Sequence, residues 1–280
     1  MLGILRKIHR QLWRFKHNTL TPIKWHFQSF FIRAISSNKG AKLIDTKKKY
    51  LILAPHSDDE WIGCSQIVLH CINTTICNMN MQGGDTVEIH KMRYNEMLSV
   101  ANRFKRKFIT LTDDKVANLQ NVICQEKPDF ILVPHFIDWH PEHLEVMGIL
   151  KQLVSNGYYT GQILTYQVSI PFVNGRECLY LPMTKDQQRF KWKTFYEHYN
   201  TQSFMPVKRF IANEYINGAN ISSNSAELYK QYVAEEWVRA MDFFNEHIET
   251  RNFLKKNINN IFSIRRMISS VYKSKCMYHV

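Results

Sequence analysis

From Lys49 to Leu153 short apolar runs alternate with longer stretches of helical spacing, and this alternation narrows the possible folds of the 280-residue chain more than any other feature. The runs Lys49–Ala54, Thr74–Asn80, Phe108–Leu111 and Phe130–Val133 read as buried strands, because a strand covered on both faces has no polar side to show. Helices are expected from Asp58 to about Cys71, from Glu88 to Phe104 with Met92, Met97, Val100 and Ala101 inward, over Lys115–Gln125, and from His143 to about Leu153. Strands that alternate with helices in this way form a parallel, doubly wound sheet with helices on both faces, here over roughly residues 47–170. Beyond Pro171 the pattern weakens. Lys185–Tyr199 and Ser225–Glu249 read as helices, and the rest as structure closing over the sheet edge.

Two polar clusters follow these strands directly. Pro55–His56–Ser57–Asp58–Asp59–Glu60 comes after the first, and His140–Pro141–Glu142–His143 lies beyond the fourth. In a doubly wound sheet ligands gather outside the C-terminal strand ends, near the point where the strand order reverses. Both clusters therefore belong on one edge. Imidazole and carboxylate are good Zn²⁺ ligands, and a catalytic zinc site needs three of them plus an open position. His56 and Asp59 supply two, and either His140 or His143 supplies the third. Singly, each cluster has a plainer explanation: an acidic triplet stabilises a helix start, and an H-x-x-H spacing arises by chance. Their joint placement favours a metal site.

These residues resemble the PIG-L/LmbE-like family of zinc-dependent N-deacetylases, whose first motif reads A/P-H-P-D-D-E and whose second reads H-x-D-H. Gly83–Gly84 followed by Arg93 and Glu96 is similar to the family's glycine loop and R-x-x-E helix. Tyr199–Asn200–Thr201–Gln202 resembles its Y-x-S-Q segment, and Tyr232–Val233–Ala234–Glu235–Glu236–Trp237 its Y-A-E-x-F. The resemblance spans about residues 47 to 240. It implies a Rossmann-like fold, one Zn²⁺ ion and removal of an N-acyl group, acetyl first of all, from an amino sugar or its nucleotide- or lipid-linked conjugate in glycan or polysaccharide biosynthesis.

Carried over by position, the resemblance makes His56, Asp59 and His143 the metal ligands and Asp58 the general base. His140 is expected to stabilise the oxyanion, with Glu142 orienting it and keeping it protonated. Glu60 is expected to hold the loop or a ligand from behind, or only to stabilise the helix start. Asp138 and His135 are placed in the substrate pocket, His135 being equally suited to capping the strand end. Arg93 is read as the partner of Glu96 or another carboxylate, with a substrate phosphate as the alternative. Two positions depart from the family pattern. Ser57 stands for a proline and loses its fixed φ, and Glu142 stands for an aspartate. Neither change removes a ligand, so an active enzyme is expected. A metal-dependent phosphoesterase is the other enzyme class to consider, although such enzymes usually hold two metals. A non-catalytic scaffold of a glycan-assembly complex is the third reading, and the intact His56, Asp58, Asp59 and His143 weigh against it.

Charge divides the chain into a basic segment 1–46, the deacetylase-like region 47–250 and a second basic segment 251–280. Lys and Arg total 37 against 24 Asp and Glu, a net charge of +13, and no acidic residue precedes Asp45. Leu2, Ile4, Leu5, Ile8, Leu12, Trp13 and Phe15 recur near helical spacing among these basic residues. Such a helix suits either an anionic membrane surface or a seat on the protein body. Few serines argue against a transit peptide, and the lack of a stacking platform or reader motif argues against nucleic acid. Six scattered cysteines without a C-x-x-C pair read as reduced thiols of a cytoplasmic protein, peripheral at the membrane surface if the basic ends bind lipid.

Overall fold

Leu51 and Leu53 enter one hydrophobic cluster while Tyr50, Ile52 and Ala54 enter another, so this run is buried on both faces. Ile131 and Val133 against Leu132, and Ile163 against Leu164 and Tyr166, divide in the same way. In this computed structural model, residues 11–12, 15–35, 42–81, 84–172, 178–258 and 260–274 are described. Leu2, Ile4, Leu5, Ile8 and Trp13 of the N-terminal stripe, Gly83 and Cys276 lie outside them.

Among the described residues eight strands form one sheet: β1 (Lys42–Leu43), β2 (Tyr50–Ala54), β3 (Thr74–Asn78), β4 (Lys107–Thr110), β5 (Phe130–Pro134), β6 (Gln162–Tyr166), β7 (Cys178–Met183) and β8 (Ser225–Val233). Their order is β1-β7-β8-β6-β5-β2-β3-β4. The pairs from β6 through β5, β2 and β3 to β4 are parallel, and β8 runs against both β6 and β7. The chain adds β3 and β4 on one side of β2, then crosses to place β5 and β6 on the other. That reversal opens a crevice beyond the C-terminal ends of β2 and β5, as such sheets require.

The helices are α1 (Thr21–Ile35), α2 (Asp59–His70), α3 (Val87–Arg103), α4 (Lys115–Glu126), α5 (Pro141–Ser155), α6 (Lys185–His198), α7 (Val207–Ala219), α8 (Ala234–Glu246), α9 (Ile248–Lys256) and α10 (Ile261–Ser274). α2, α3 and α6 cover one face, while α4, α5, α8 and α10 cover the other. Among the described residues no helix is long and apolar enough to cross a membrane. The described part of the basic N-terminal segment sits on the body. Trp25 buries its ring and donates from Nε1 to the Ile258 carbonyl at 2.9 Å, and the Arg33 guanidinium donates to the carbonyls of Tyr215, Ser223 and Asn224.

Three expectations need correction. Ser225–Val233 is a strand, with the helix starting only at Ala234. Glu227 and Lys230 are buried within it, so its alternation is hidden by charges that tertiary partners neutralise. The helix after β5 begins at Pro141 rather than at His143, because proline is well suited to a first helical position. Met92 is exposed, and the buried positions of α3 are Glu96, Met97, Val100 and Ala101. Glu96 tolerates burial because Thr201 donates to it from both its backbone N–H (2.8 Å) and its hydroxyl (2.6 Å).

Gly218 shows how closely α7 lies on β8. A Cβ at this position would stand 2.5 Å from Ser225 Cα and 2.6 Å from its nitrogen, both backbone atoms. Gly→Ala inside a helix ordinarily stabilises by up to about 1 kcal/mol. Here the sign reverses, and Gly218→Ala is expected to cost about 1–3 kcal/mol by forcing helix from sheet. Urea denaturation of the two proteins measures it.

Candidate metal centre

The turn from β2 into α2 is strained at a single residue. Asp58 has φ 138° and ψ −24°, a region suited to glycine, and its carbonyl starts the helix by accepting from the amides of Trp61 and Ile62. A residue held there costs about 1–3 kcal/mol, and such outliers gather at functional sites. The Asp58 side chain makes no capping bond; it is buried and its Oδ2 has no hydrogen-bond partner among the described residues. The plainer explanation of this aspartate as a helix cap therefore fails.

Asp59 turns back across the crevice. Its Oδ2 accepts from the His56 amide at 3.0 Å, and lies 3.1 Å from His56 Nδ1 and 3.3 Å from His143 Nε2. Asp138 stands behind His143, with Oδ2 2.9 Å from its Nδ1, while Asp138 Oδ1 accepts from the His140 amide. Ring nitrogens of His56, His140 and His143 lie within 4.8 Å of one another and could hold a metal ion. The donor chemistry fits zinc. Bonds of 2.0–2.1 Å in a tetrahedron put neighbouring donors about 3.3 Å apart, which matches the spacing of Asp59 Oδ2 from the two histidine nitrogens. His140 Nδ1 is buried without a partner among the described residues, a second sign of a site built for more than its own side chains.

Glu142 departs from expectation. Its Oε2 contacts His56 Nε2 and not His140. The reason is helical geometry: His140 caps α5 and Glu142 lies one residue past Pro141, so their side chains leave the helix start in different directions. His140 is also not held protonated. Burial, reinforced by the neighbouring His143 and His56, lowers its pKa.

Burial works against charge on His143, but Asp59 and Asp138 outweigh it and raise the pKa well above the usual imidazole value. Burial likewise opposes the Asp59 carboxylate, which His143 and His56 nonetheless hold below its ordinary range. Asp58 behaves oppositely: burial, then the adjacent Asp59 and Glu60, push it well up. Burial also lifts Glu60 to about 7, despite hydrogen bonds from the Tyr199 hydroxyl and the Asp58 amide.

The other sequence candidates are more dispersed. His135 is buried between the rings of Phe136 and Phe172, and its amide donates to the Tyr166 carbonyl, which prolongs the β5–β6 pairing. Arg93 pairs with Asp85 and not Glu96. It lines a small cleft together with His56, Ser57, Asn78, Met81, His90 and Tyr94. His90 is not among the residues expected at the site; a surface histidine in a helix carries no signal of that kind. A second hollow, of mixed lining between α2, α7 and β8, has no histidine on its wall. The Tyr199–Gln202 segment is brought to the site from behind, through Tyr199 on Glu60 and Thr201 on Glu96.

No protein-family model matches the sequence, and no curated protein does. Solved structures do. The N,N'-diacetylchitobiose deacetylase of Pyrococcus horikoshii superposes with a TM-score of 0.51 at 18% identity, over 68% of this chain and 85% of that one. The zinc-inhibited form of a teicoplanin deacetylase gives 0.51 at 9% identity, over 66% and 97%. The A40926 pseudoaglycone deacetylase gives 0.51 at 11%, over 67% and 98%. The chain has an LmbE-like, Rossmann-type fold. In this LmbE-like fold the histidine cluster stands at the strand-order reversal, where the architecture itself leaves room for a ligand.

Relief of the Asp58 strain gives a direct test of the turn. Asp58→Gly is expected to stabilise the metal-free protein by about 1–2 kcal/mol, because it removes both an unfavourable φ and a buried carboxyl with an unpartnered oxygen. The urea midpoint should rise; a fall would show that the carboxyl supports the fold.

Proposed function

We propose that the protein is a metal-dependent hydrolase that removes an N-acyl group, acetyl first of all, from an amino sugar or its nucleotide- or lipid-linked conjugate. The convergence of His56, His140 and His143 with Asp58 and Asp59 at the sheet crevice carries this reading. His56, Asp59 and His143 would hold one Zn²⁺ ion, since Asp59 Oδ2 already lies at donor spacing from both histidines. When bound, the ion would acidify a water and polarise the amide carbonyl. Glu142 and Asp138 would fix the rings of His56 and His143 from their far sides.

Asp58 is assigned the proton transfers. Its carboxyl is buried, has an oxygen free of hydrogen bonds and is tuned upward, the condition a general base or acid needs near neutral pH. It would take a proton from the attacking water and return it to the leaving amine. His140, neutral and with an unpartnered nitrogen, would face the oxygen of the scissile carbonyl. Glu60 would brace the turn through Tyr199. A phosphoesterase reading is weaker, because the described residues gather histidine ligands at one point only.

The test is release of acetate from N-acetylglucosamine conjugates by protein loaded with one equivalent of zinc. One equivalent matters, because a teicoplanin deacetylase of this fold has a zinc-inhibited form. Chelation should abolish activity. Asp58→Asn should lower kcat by roughly 10²–10⁴-fold with metal stoichiometry unchanged, whereas Asp59→Ala and His143→Ala should lose the ion. Two bound metals with phosphodiester turnover would support a phosphoesterase, and no bound metal a scaffold.

A further inference from the structure

α1 is apolar on both of its faces. Trp25 and Ile32 turn inward, at 2% and 5% exposure, against the body. On the opposite face Ile23, Phe27, Phe30 and Phe31 are 46%, 66%, 63% and 60% exposed. At about 100° per residue these four fall within an arc of about 100°, which makes them one contiguous strip. Apolar stripes on two opposite faces of one helix both call for cover by protein or lipid, and among the described residues the body covers only the stripe with Trp25 and Ile32. Three neighbouring exposed phenylalanines exceed the scattered apolar surface that needs no explanation.

Charge selects the occupant. Nine Lys and Arg residues and no Asp or Glu precede Asp45; Lys24 is exposed beside the strip, and Lys16 is exposed in the helical turn that precedes α1. A second copy of this chain would bring the same positive charge against itself, whereas an anionic bilayer neutralises it. Aromatic side chains flanked by lysine suit the boundary between headgroups and acyl chains. We propose that the outer face of α1 docks on an anionic lipid surface, with Ile23, Phe27, Phe30 and Phe31 entering that boundary.

The inner face of α1 connects this surface to the catalytic edge. The Arg209 guanidinium lies 5.0 Å from the centre of the Trp25 ring and donates to the Ser169 carbonyl, in the loop after β6. Docking does not depend on the proposed reaction, so the two can fail separately.

The test is co-sedimentation of the full-length protein with phosphatidylcholine vesicles, with and without phosphatidylglycerol. Binding should require phosphatidylglycerol and weaken with added salt. The variant Phe27→Ser/Phe30→Ser/Phe31→Ser should bind at least about tenfold more weakly, with thermal midpoint and metal stoichiometry unchanged. Should that variant unfold, Phe27→Ser and Lys24→Glu singly must each reduce binding. Absence of wild-type binding, or equal binding by the variants, overturns the proposal. A dimer that the triple variant converts to monomer, without lipid binding, would assign the face to a second copy and also overturn it.

Discussion

The Asp59 carboxylate lies between two histidines, His56 in the turn after β2 and His143 in the first turn of the helix after β5, 3.1 Å from one and 3.3 Å from the other. Because β2 and β5 are sheet neighbours at the strand-order reversal, the two segments meet without either departing far from its strand. A carboxylate buried this deeply would be costly if isolated, and it stays ionised only because His56 and His143 face it. The remaining contacts follow from this one: Asp138 holds His143, Glu142 holds His56, and His140 Nδ1 has no hydrogen-bond partner among the described residues.

Adjacent residues in the same turn are set to opposite tasks by their surroundings alone. Asp58 and Asp59 are consecutive and both buried, yet the first is pushed toward the neutral form and the second held ionised. No difference in intrinsic chemistry exists between them; hydrogen bonds from His143 and His56 reach Asp59, whereas burial and the neighbouring carboxylates dominate at Asp58. The left-handed backbone at Asp58 is what divides the pair, because it turns the two side chains apart as the helix begins. The rest of the fold supports this strained arrangement. Lys191, fully buried, lies 2.7 Å from both Glu214 and Glu227 and donates to the Ile62 carbonyl, so α2, α6, α7 and β8 are clamped just behind the turn.

Much of the site is legible in the sequence. His56, Asp58, Asp59, His140 and His143 stand where strand-ending apolar runs place them, and Asp138 falls in the same loop as the last two. Less local features are not legible. Spacing matches Glu142 with its near neighbour His140, whereas its contact is with His56, 86 residues away. Arg93 does pair with a carboxylate as read, but the partner is Asp85, and Glu96 is left to Thr201. Side-chain direction at a helix start depends on where the helix begins, and a shift of two residues from His143 to Pro141 suffices to redirect Glu142.

Local patterning alone dictates the parallel sheet, since runs such as Leu51–Ala54 and Ile131–Val133 have no polar face and can only be interior strands. It also sets two clusters of metal-ligating residue types just beyond strand ends. The remaining features arise from contacts between distant segments. Ser225–Val233 is a strand although its buried Glu227 obscures the pattern, because the partner Lys191 lies in another helix. Which carboxylate serves which histidine depends on distances between loops that no local spacing encodes. Phe27, Phe30 and Phe31 remain outside, because a helix apolar on both faces cannot bury both against one body.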